Sequence, residues 1–274
     1  MNKTMAILTG KLVIISLFLV IVTAIETLAY STRLSGARIG LIASALSLFS
    51  TMIIVSRFST MFQQALTGKL LSAAPAAHKL EFIESQYRVL IGVTSLGVLI
   101  GIFLFPTFIA IFSRAIIQLV DEKGSMVSLA RKWCNIRGLK KAIRYLRLPR
   151  LSYLEGITLR NFPKRMFCIN IAITAVYTVG VLSSLYASLL TPENAAAAIM
   201  SSGIINGMAT ILLTLFIDPK ASVLADRVVR KEQRYANLKS YSVAMIGSKF
   251  VGTVVAQLIF IPCAYYVAWF SEWL

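Results

Sequence analysis

Residues 166–217 read MFCINIAITAVYTVGVLSSLYASLLTPENAAAAIMSSGIINGMATILLTLFI, and Glu193 is the sole charged side chain among them. Pro192 cannot donate to a helix ladder and clashes with the preceding turn, so Thr191-Pro192-Glu193 breaks the run into 166–190 and 194–217. Each part exceeds the roughly 20 helical residues needed to cross a hydrocarbon core of about 30 Å. Two antiparallel spans joined by a tight turn follow.

Working outward, the same pattern recurs. Residues 12–32 are apolar apart from Glu26, residues 39–66 carry only Arg57, and 89–113 and 250–271 contain no charged side chain. The chain of 274 residues is 57% hydrophobic and 14% charged, with a mean hydropathy of +0.77, where soluble domains are about a quarter charged. These numbers specify an all-α, polytopic membrane protein: one integral domain with about six transmembrane helices, at about 12–32, 39–66, 89–113, 166–190, 194–217 and 250–271. The first run has the basic flank of a signal peptide, but Glu26 inside it and the lack of an A-x-A site favour a retained helix.

The net charge of +17 reads as topology rather than nucleic-acid binding, because its Lys and Arg gather in connections between spans. The 114–165 loop contains Arg114, Lys123, Arg131, Lys132, Arg137, Lys140, Lys141, Arg144, Arg147, Arg150, Arg160, Lys164 and Arg165 against Asp121, Glu122 and Glu155 at or within its borders. Short basic loops stay in the cytoplasm, so this loop is expected inside and both termini outside. The 218–240 connection lies two crossings later and is also basic, which agrees. Within the central loop, Ile136, Leu139, Ile143 and Leu146 alternate with cations at helical spacing. That is an amphipathic helix suited to anionic phospholipids of the inner leaflet.

An ionisable group inside a span costs about 2.5–3.5 kcal/mol on insertion scales and therefore seeks a partner, a cavity or a path. Ser50, Arg57 and Gln64 recur at seven residues with Thr60 beside them, drawing a polar stripe along one helix. A guanidinium presents a planar fork of donors that matches phosphate oxygens, which makes Arg57 a candidate contact for a diphosphate; a snorkelling or carboxylate-paired arginine is the other reading. Glu26 and Lys249 are expected at similar depth near the inner ends of their helices, as an ion pair or as a gate. The fourth span carries Asn170, Thr174 and Thr178, and the fifth Ser202, Asn206, Thr210, Thr214 and Asp218. Such stripes line a cavity or join helices by hydrogen bonds. Gly97-x-x-x-Gly101 and Gly203-x-x-x-Gly207 fit close helix crossings and say nothing of oligomeric state.

Enzyme chemistry finds few parts. There is one histidine, His78; there is no H-E-x-x-H, G-x-S-x-G or Walker A motif; and the carboxylates are scattered. Cys134, Cys168 and Cys263 stand far apart without the spacing of a metal site or a disulfide framework. A membrane enzyme is therefore the minority reading, and no catalytic residue, metal or cofactor is expected.

The segment Glu26-Thr-Leu-Ala-Tyr30-Ser-Thr-Arg33-Leu-Ser-Gly36-Ala-Arg38-Ile-Gly40, with Ala-Leu-Ser-Leu-Phe-Ser50 and Val-Ser-Arg57 after it, resembles the Amj-type lipid II flippases. The likeness covers roughly the first 70 residues, with the six-span layout agreeing beyond them. It implies a bacterial cell-membrane protein that moves lipid II, the undecaprenyl-pyrophosphate-linked peptidoglycan precursor, from the inner to the outer leaflet. Arg33, Arg38 and Arg57 lie in the matching segment, and their chemistry suits them, with Gln64, to hold the headgroup. A transporter of another anionic lipid or amphiphile, and a membrane scaffold that transports nothing, are the alternatives.

Overall fold

The computed structural model describes residues 3–75, 78–133 and 163–273, and nearly all of them are helical. Helix α1 spans Lys3–Ile39, α2 Ile42–Ala73, α3 Lys79–Asp121 and α4 Met126–Trp133. After the connection come α5 at Lys164–Leu190, a 3-10 turn at Pro192–Asn194, and α6 at Ala195–Leu212. A π-helical turn, Leu213–Ile217, carries α6 into α7 at Asp218–Val229, and α8 closes the chain at Tyr235–Ser271. Six stretches are long and apolar enough to cross a membrane: Gly10–Ile39, Ile42–Ala73, Lys79–Asp121, Lys164–Leu190, Pro192–Val229 and Tyr235–Ser271. The amphipathic helix expected around 136–147 lies outside the described residues.

The helices overrun the apolar stretches that announce them. Helix α3 has 43 residues, about 64 Å at 1.5 Å per residue, because neither Glu84 and Arg88 at its start nor Arg114 near its end opposes helix formation. In the same way α8 begins at Tyr235, well before the uncharged run. The consequence for the buried charges is a shift in depth: Glu26 lies 13 residues before Ile39, the end of α1, and Lys249 lies 14 residues after Tyr235, the start of α8. Both sit near mid-helix rather than close to the inner end.

Helix α1 reverses into α2 within two residues. Gly40 takes φ +78°, a left-handed conformation that glycine adopts without steric cost, and Leu41 N–H donates to the Gly36 carbonyl at 3.0 Å, which closes a Schellman cap.

The six long helices form two triplets with one packing plan. In the first, α1 packs most extensively on α3 and next on α2; in the second, α5 packs most extensively on α8 and next on α6. The close seams match in detail. A Cβ at Gly101 of α3 would lie 2.6 Å from Thr27 Cβ, and one at Gly252 of α8 would lie 2.7 Å from Thr174 Cβ. Each threonine is followed three residues later by a tyrosine, Tyr30 or Tyr177, and each third helix carries an internal proline, Pro106 or Pro262. Since a triplet crosses an odd number of times, the second runs opposite to the first.

Of the four apolar clusters among the described residues, the two largest fill most of the interior. One, around Leu19, Tyr87, Leu182 and Phe260, lies toward the end where α2 meets α3. The other, around Tyr30, Ile173, Ile217 and Met245, lies toward the end carrying the basic connections, called the basic end below. Large apolar side chains cover the outside, such as Ile54, Phe58 and Met61 of α2 and Met200, Ile204 and Met208 of α6. Such a surface suits lipid and not water. Tyr265, Tyr266, Trp269 and Trp273 are exposed at the far end of α8, the composition of a membrane-interface belt.

Candidate functional site

Between the two apolar clusters the interior turns polar. Helical spacing on α1 places Thr23, Glu26 and Tyr30 on one inward stripe, and on α5 does the same for Asn170, Thr174 and Tyr177. Helices α2 and α8 complete the layer with Ser56, Arg57, Thr60 and Gln63, and with Lys249 and Thr253.

Lys249 Nζ donates to Glu26 Oε2 at 2.8 Å, and Ser56 Oγ donates to the other oxygen, Oε1, at 2.5 Å. The pair is buried, with each side chain 11% exposed. It ties α1 of the first triplet to α8 of the second. The Arg57 guanidinium lies 4.3 Å from the centre of the Tyr177 ring, and its Nη1 is buried without a hydrogen-bond partner. The cation therefore rests on the face of Tyr177, which attracts it and leaves Nη1 unfilled. Two cations and one carboxylate leave the layer with one positive charge in excess, and with guanidinium donors to spare.

Two cavities of about 50 Å³ each flank this group. The one toward the basic end is walled by Tyr30, Ile53, Arg57, Asn170, Ala209 and Leu213; the other by Thr23, Thr60, Gln63, Thr94 and Thr178. Glu26, Thr174, Tyr177 and Lys249 belong to both walls, so the ion pair and the tyrosine are the partition between them. Each cavity has the volume of a water or two, and a sugar headgroup does not fit. In this state the layer has room for water and not for the headgroup.

The residues singled out by sequence divide into three groups. Glu26, Lys249, Arg57, Thr60 and Asn170 meet in the polar layer. Asn170 Nδ2 donates to the Met245 carbonyl at 3.1 Å and to Ser248 Oγ at 2.8 Å, while its Oδ1 is buried without a partner. Thr60 Oγ1 lies 3.4 Å from Tyr177 Oη. Gln64 and Asn206 stand aside as links between helices: Gln64 Nε2 donates to Ser202 Oγ at 2.7 Å, joining α2 to α6, and Asn206 presses on Gly180 of α5. Ser50 is exposed and lines neither cavity, because α2 has no neighbour on that face at its level.

Arg33 and Arg38 lie outside the layer as well. Arg33 is 3% exposed, with Nη2 donating to Asp218 Oδ1 at 2.7 Å and its guanidinium 4.0 Å over the Phe49 ring. It is committed to joining α1 to the start of α7. Arg38 is exposed on the last turn of α1. Sequence reading passed over Tyr177, Ser56 and Gln63. Tyr177 carries a legible signal, since it falls three residues after Thr174 and seven after Asn170 on one helical face. Ser56 and Gln63 each neighbour a residue of the Arg57 stripe in sequence but point to the other side of it, toward α1.

The profile of the Amj family, described as alternate to MurJ, matches residues 18–271. The lipid II flippase Amj of Bacillus subtilis (strain 168) is 51% identical over 269 residues, covering 98% of this chain and the whole of that protein. No solved structure matches. Both likenesses extend over all six long helices and the buried polar layer between them, and the chain belongs to the Amj, alternate to MurJ, family.

Proposed function

We propose that this protein is a lipid II flippase, carrying the undecaprenyl-pyrophosphate-linked precursor from the inner to the outer leaflet of the bacterial cell membrane. The observation that carries the reading is the full-length likeness, at 51% identity, to a protein of that function. The polar layer supports it. A polyprenyl tail stays in lipid, whereas the diphosphate and sugars need polar partners across the hydrocarbon.

In this reading the basic end is cytoplasmic and both termini are outside, supported by the concentration of Lys and Arg in the connections of that end. Anionic phospholipids of the inner leaflet hold the 114–165 connection. The substrate is an anion, as Glu26 is, and it competes with Glu26 for Lys249 and for the spare donors of Arg57. When the diphosphate replaces the carboxylate, the partition between the two cavities loses its ion pair. Glu26 keeps Ser56 as a donor, and the path reopens toward the outer side. Once the headgroup leaves, the pair closes again.

The test is lipid II exposure on the outer leaflet of cells depleted of other flippases, with parent, Arg57→Ala and Arg57→Lys expressed to equal levels. Parent activity, loss in Arg57→Ala and only partial recovery in Arg57→Lys are expected, because lysine restores the charge without the planar fork. A well-inserted parent that leaves lipid II inside refutes the substrate assignment and favours another anionic lipid or a scaffold. Equal activity in all three removes Arg57 from the mechanism.

A further inference from the structure

We propose that a groove at the basic end, between the start of α5 and α7, is the loading site at which a prenyl diphosphate headgroup is first captured. The proposal rests on the flippase reading and names where its substrate is taken up. The groove has a volume of about 860 Å³, within the range of about 300–1,000 Å³ typical of ligand sites. Among the described residues four cations line it, two from each wall: Lys164 and Arg165 on α5, Lys220 and Arg227 on α7. All four are exposed, and none forms an ion pair among the described residues. The nearest carboxylate on α7 in sequence to Lys220, Asp218, is engaged by Arg33.

Depth and composition favour a lipid over a soluble anion. Both walls change from apolar to charged where they meet in the groove: α5 starts its uncharged run at Met166, directly after Arg165, and α7 begins where the uncharged run ending at Ile217 stops. Between the cations, Met166, Val223 and Leu224 give the groove an apolar lining. A diphosphate diester has two phosphate groups in line and an apolar tail. Two cations on each wall pair with the phosphates, and the apolar lining receives the first part of the tail. A phospholipid with one phosphate uses half of these contacts.

The groove also points at the polar layer. Met166, Asn170, Ile173 and Tyr177 follow one another along a face of α5, so the stripe that begins in the groove ends at the Arg57 cavity. The buried side chains of the basic-end cluster, Met166, Ile217 and Met245 among them, form a plug there, with Tyr241 Oη donating to the Ile217 carbonyl at 2.9 Å and the Arg33–Asp218 pair beside it. That carbonyl belongs to the π-helical turn, a local defect of the kind found at functional bends. Loading at the groove places the headgroup one plug away from the cation that receives it next.

The experiment measures binding of radiolabelled geranylgeranyl diphosphate to the full-length protein in nanodiscs of neutral lipid. Competitors are geranylgeranyl monophosphate, inorganic diphosphate and phosphatidylglycerol. Lys164→Glu with Arg165→Glu, and Lys220→Glu with Arg227→Glu, are each expected to weaken binding about tenfold or more, the loss of at least one charge-assisted contact. Lys220→Gln with Arg227→Gln loses less, and the equally basic Arg230→Glu with Lys231→Glu outside the groove binds as the parent does. Groove reversals that bind like the parent overturn the site. Competition by inorganic diphosphate as strong as that of the prenyl compound identifies a free-phosphate site and overturns lipid loading; equal competition by the monophosphate or by phosphatidylglycerol overturns the diphosphate preference. A parent inactive toward lipid II in cells removes the flippase reading and leaves the binding result standing, whereas groove reversals with parental binding remove the loading site and leave the flippase reading standing.

Discussion

Arg33 and Arg57 have the same side chain and opposite situations, and the difference lies in their neighbours. Arg33 has a carboxylate at 2.7 Å and a phenyl face, so recruiting it to a substrate leaves Asp218 bare. Both keep unfilled donors, Nε and Nη1 on Arg33 and Nη1 on Arg57, but Arg57 stacks on a tyrosine ring and forms no ion pair among the described residues, so recruiting it bares no carboxylate. The Glu26–Lys249 pair makes a sharper prediction. Glu26→Gln leaves Lys249 as an unpaired charge in a buried layer, which is expected to cost about 3–5 kcal/mol. Glu26→Leu with Lys249→Met removes both charges and is expected to recover most of that stability, because a matched apolar pair is often as stable as a buried ion pair. Thermal unfolding of the purified variants measures both. Lipid II translocation should be lost in the double variant, since Lys249, the cation for which the substrate competes with Glu26, is gone; full translocation there would make the pair purely structural. In sequence, the residues of this layer were legible as charges and amides inside apolar runs. Their partners were not: Arg33 finds Asp218 across 185 positions and Glu26 finds Lys249 across 223, separations at which no helical periodicity speaks.

At the scale of single elements, two glycine pairs of identical spacing behave differently. Gly97 and Gly101 lie against Thr23 and Thr27 of α1, and a Cβ at Gly101 would also meet the Ala24 carbonyl at 3.2 Å. Gly203 and Gly207 have nothing within 4 Å. Gly101→Val and Gly252→Val are therefore expected to destabilise by about 1–3 kcal/mol or more through overpacking, while Gly203→Ala and Gly207→Ala are expected to be neutral or slightly stabilising, as helix propensity predicts. Denaturation midpoints in detergent decide it. The motif alone could not separate the two pairs, since spacing reports that a glycine face exists and not whether a neighbour occupies it. Helix number and order were legible because each span satisfies its own backbone within one segment. Helix length was less so. The ends of α3 and α8 are set by packing on charged turns, such as Arg88 bonded to Glu84 and to the Gln257 carbonyl, and hydropathy stops short of such turns.

For the whole molecule, orientation is the property that composition addresses and contacts do not. In a cysteine-free background with Cys134, Cys168 and Cys263 replaced by Ala, His78→Cys is expected to react with a membrane-impermeant maleimide in intact cells. Lys231→Cys is expected to react only after permeabilisation. Reversal of the two would place the basic end outside and undo the direction of loading proposed for the groove. The paired triplets were invisible in the sequence because few residues are shared between them; what repeats is a manner of contact, a small residue on the third helix against a threonine on the first.

That repeated contact divides the protein mechanically. The first and third helices of each triplet form a frame braced by close seams, while α2 and α6 are attached mainly along one edge. In the most apolar stretches of α2 and of the α6–α7 span, 22% and 17% of the residues are buried, against 56% for α5. They sit as two panels on that frame, joined to each other by the Gln64–Ser202 hydrogen bond, a contact worth about 1 kcal/mol. Arg57 rides on one panel, whereas Glu26 and Lys249 are fixed to the frame. In the flippase reading, a panel that swung outward would open a side door to the bilayer and carry Arg57 away from the carboxylate in the same stroke, so that a lipid tail would never have to leave the membrane for its headgroup to be handed across.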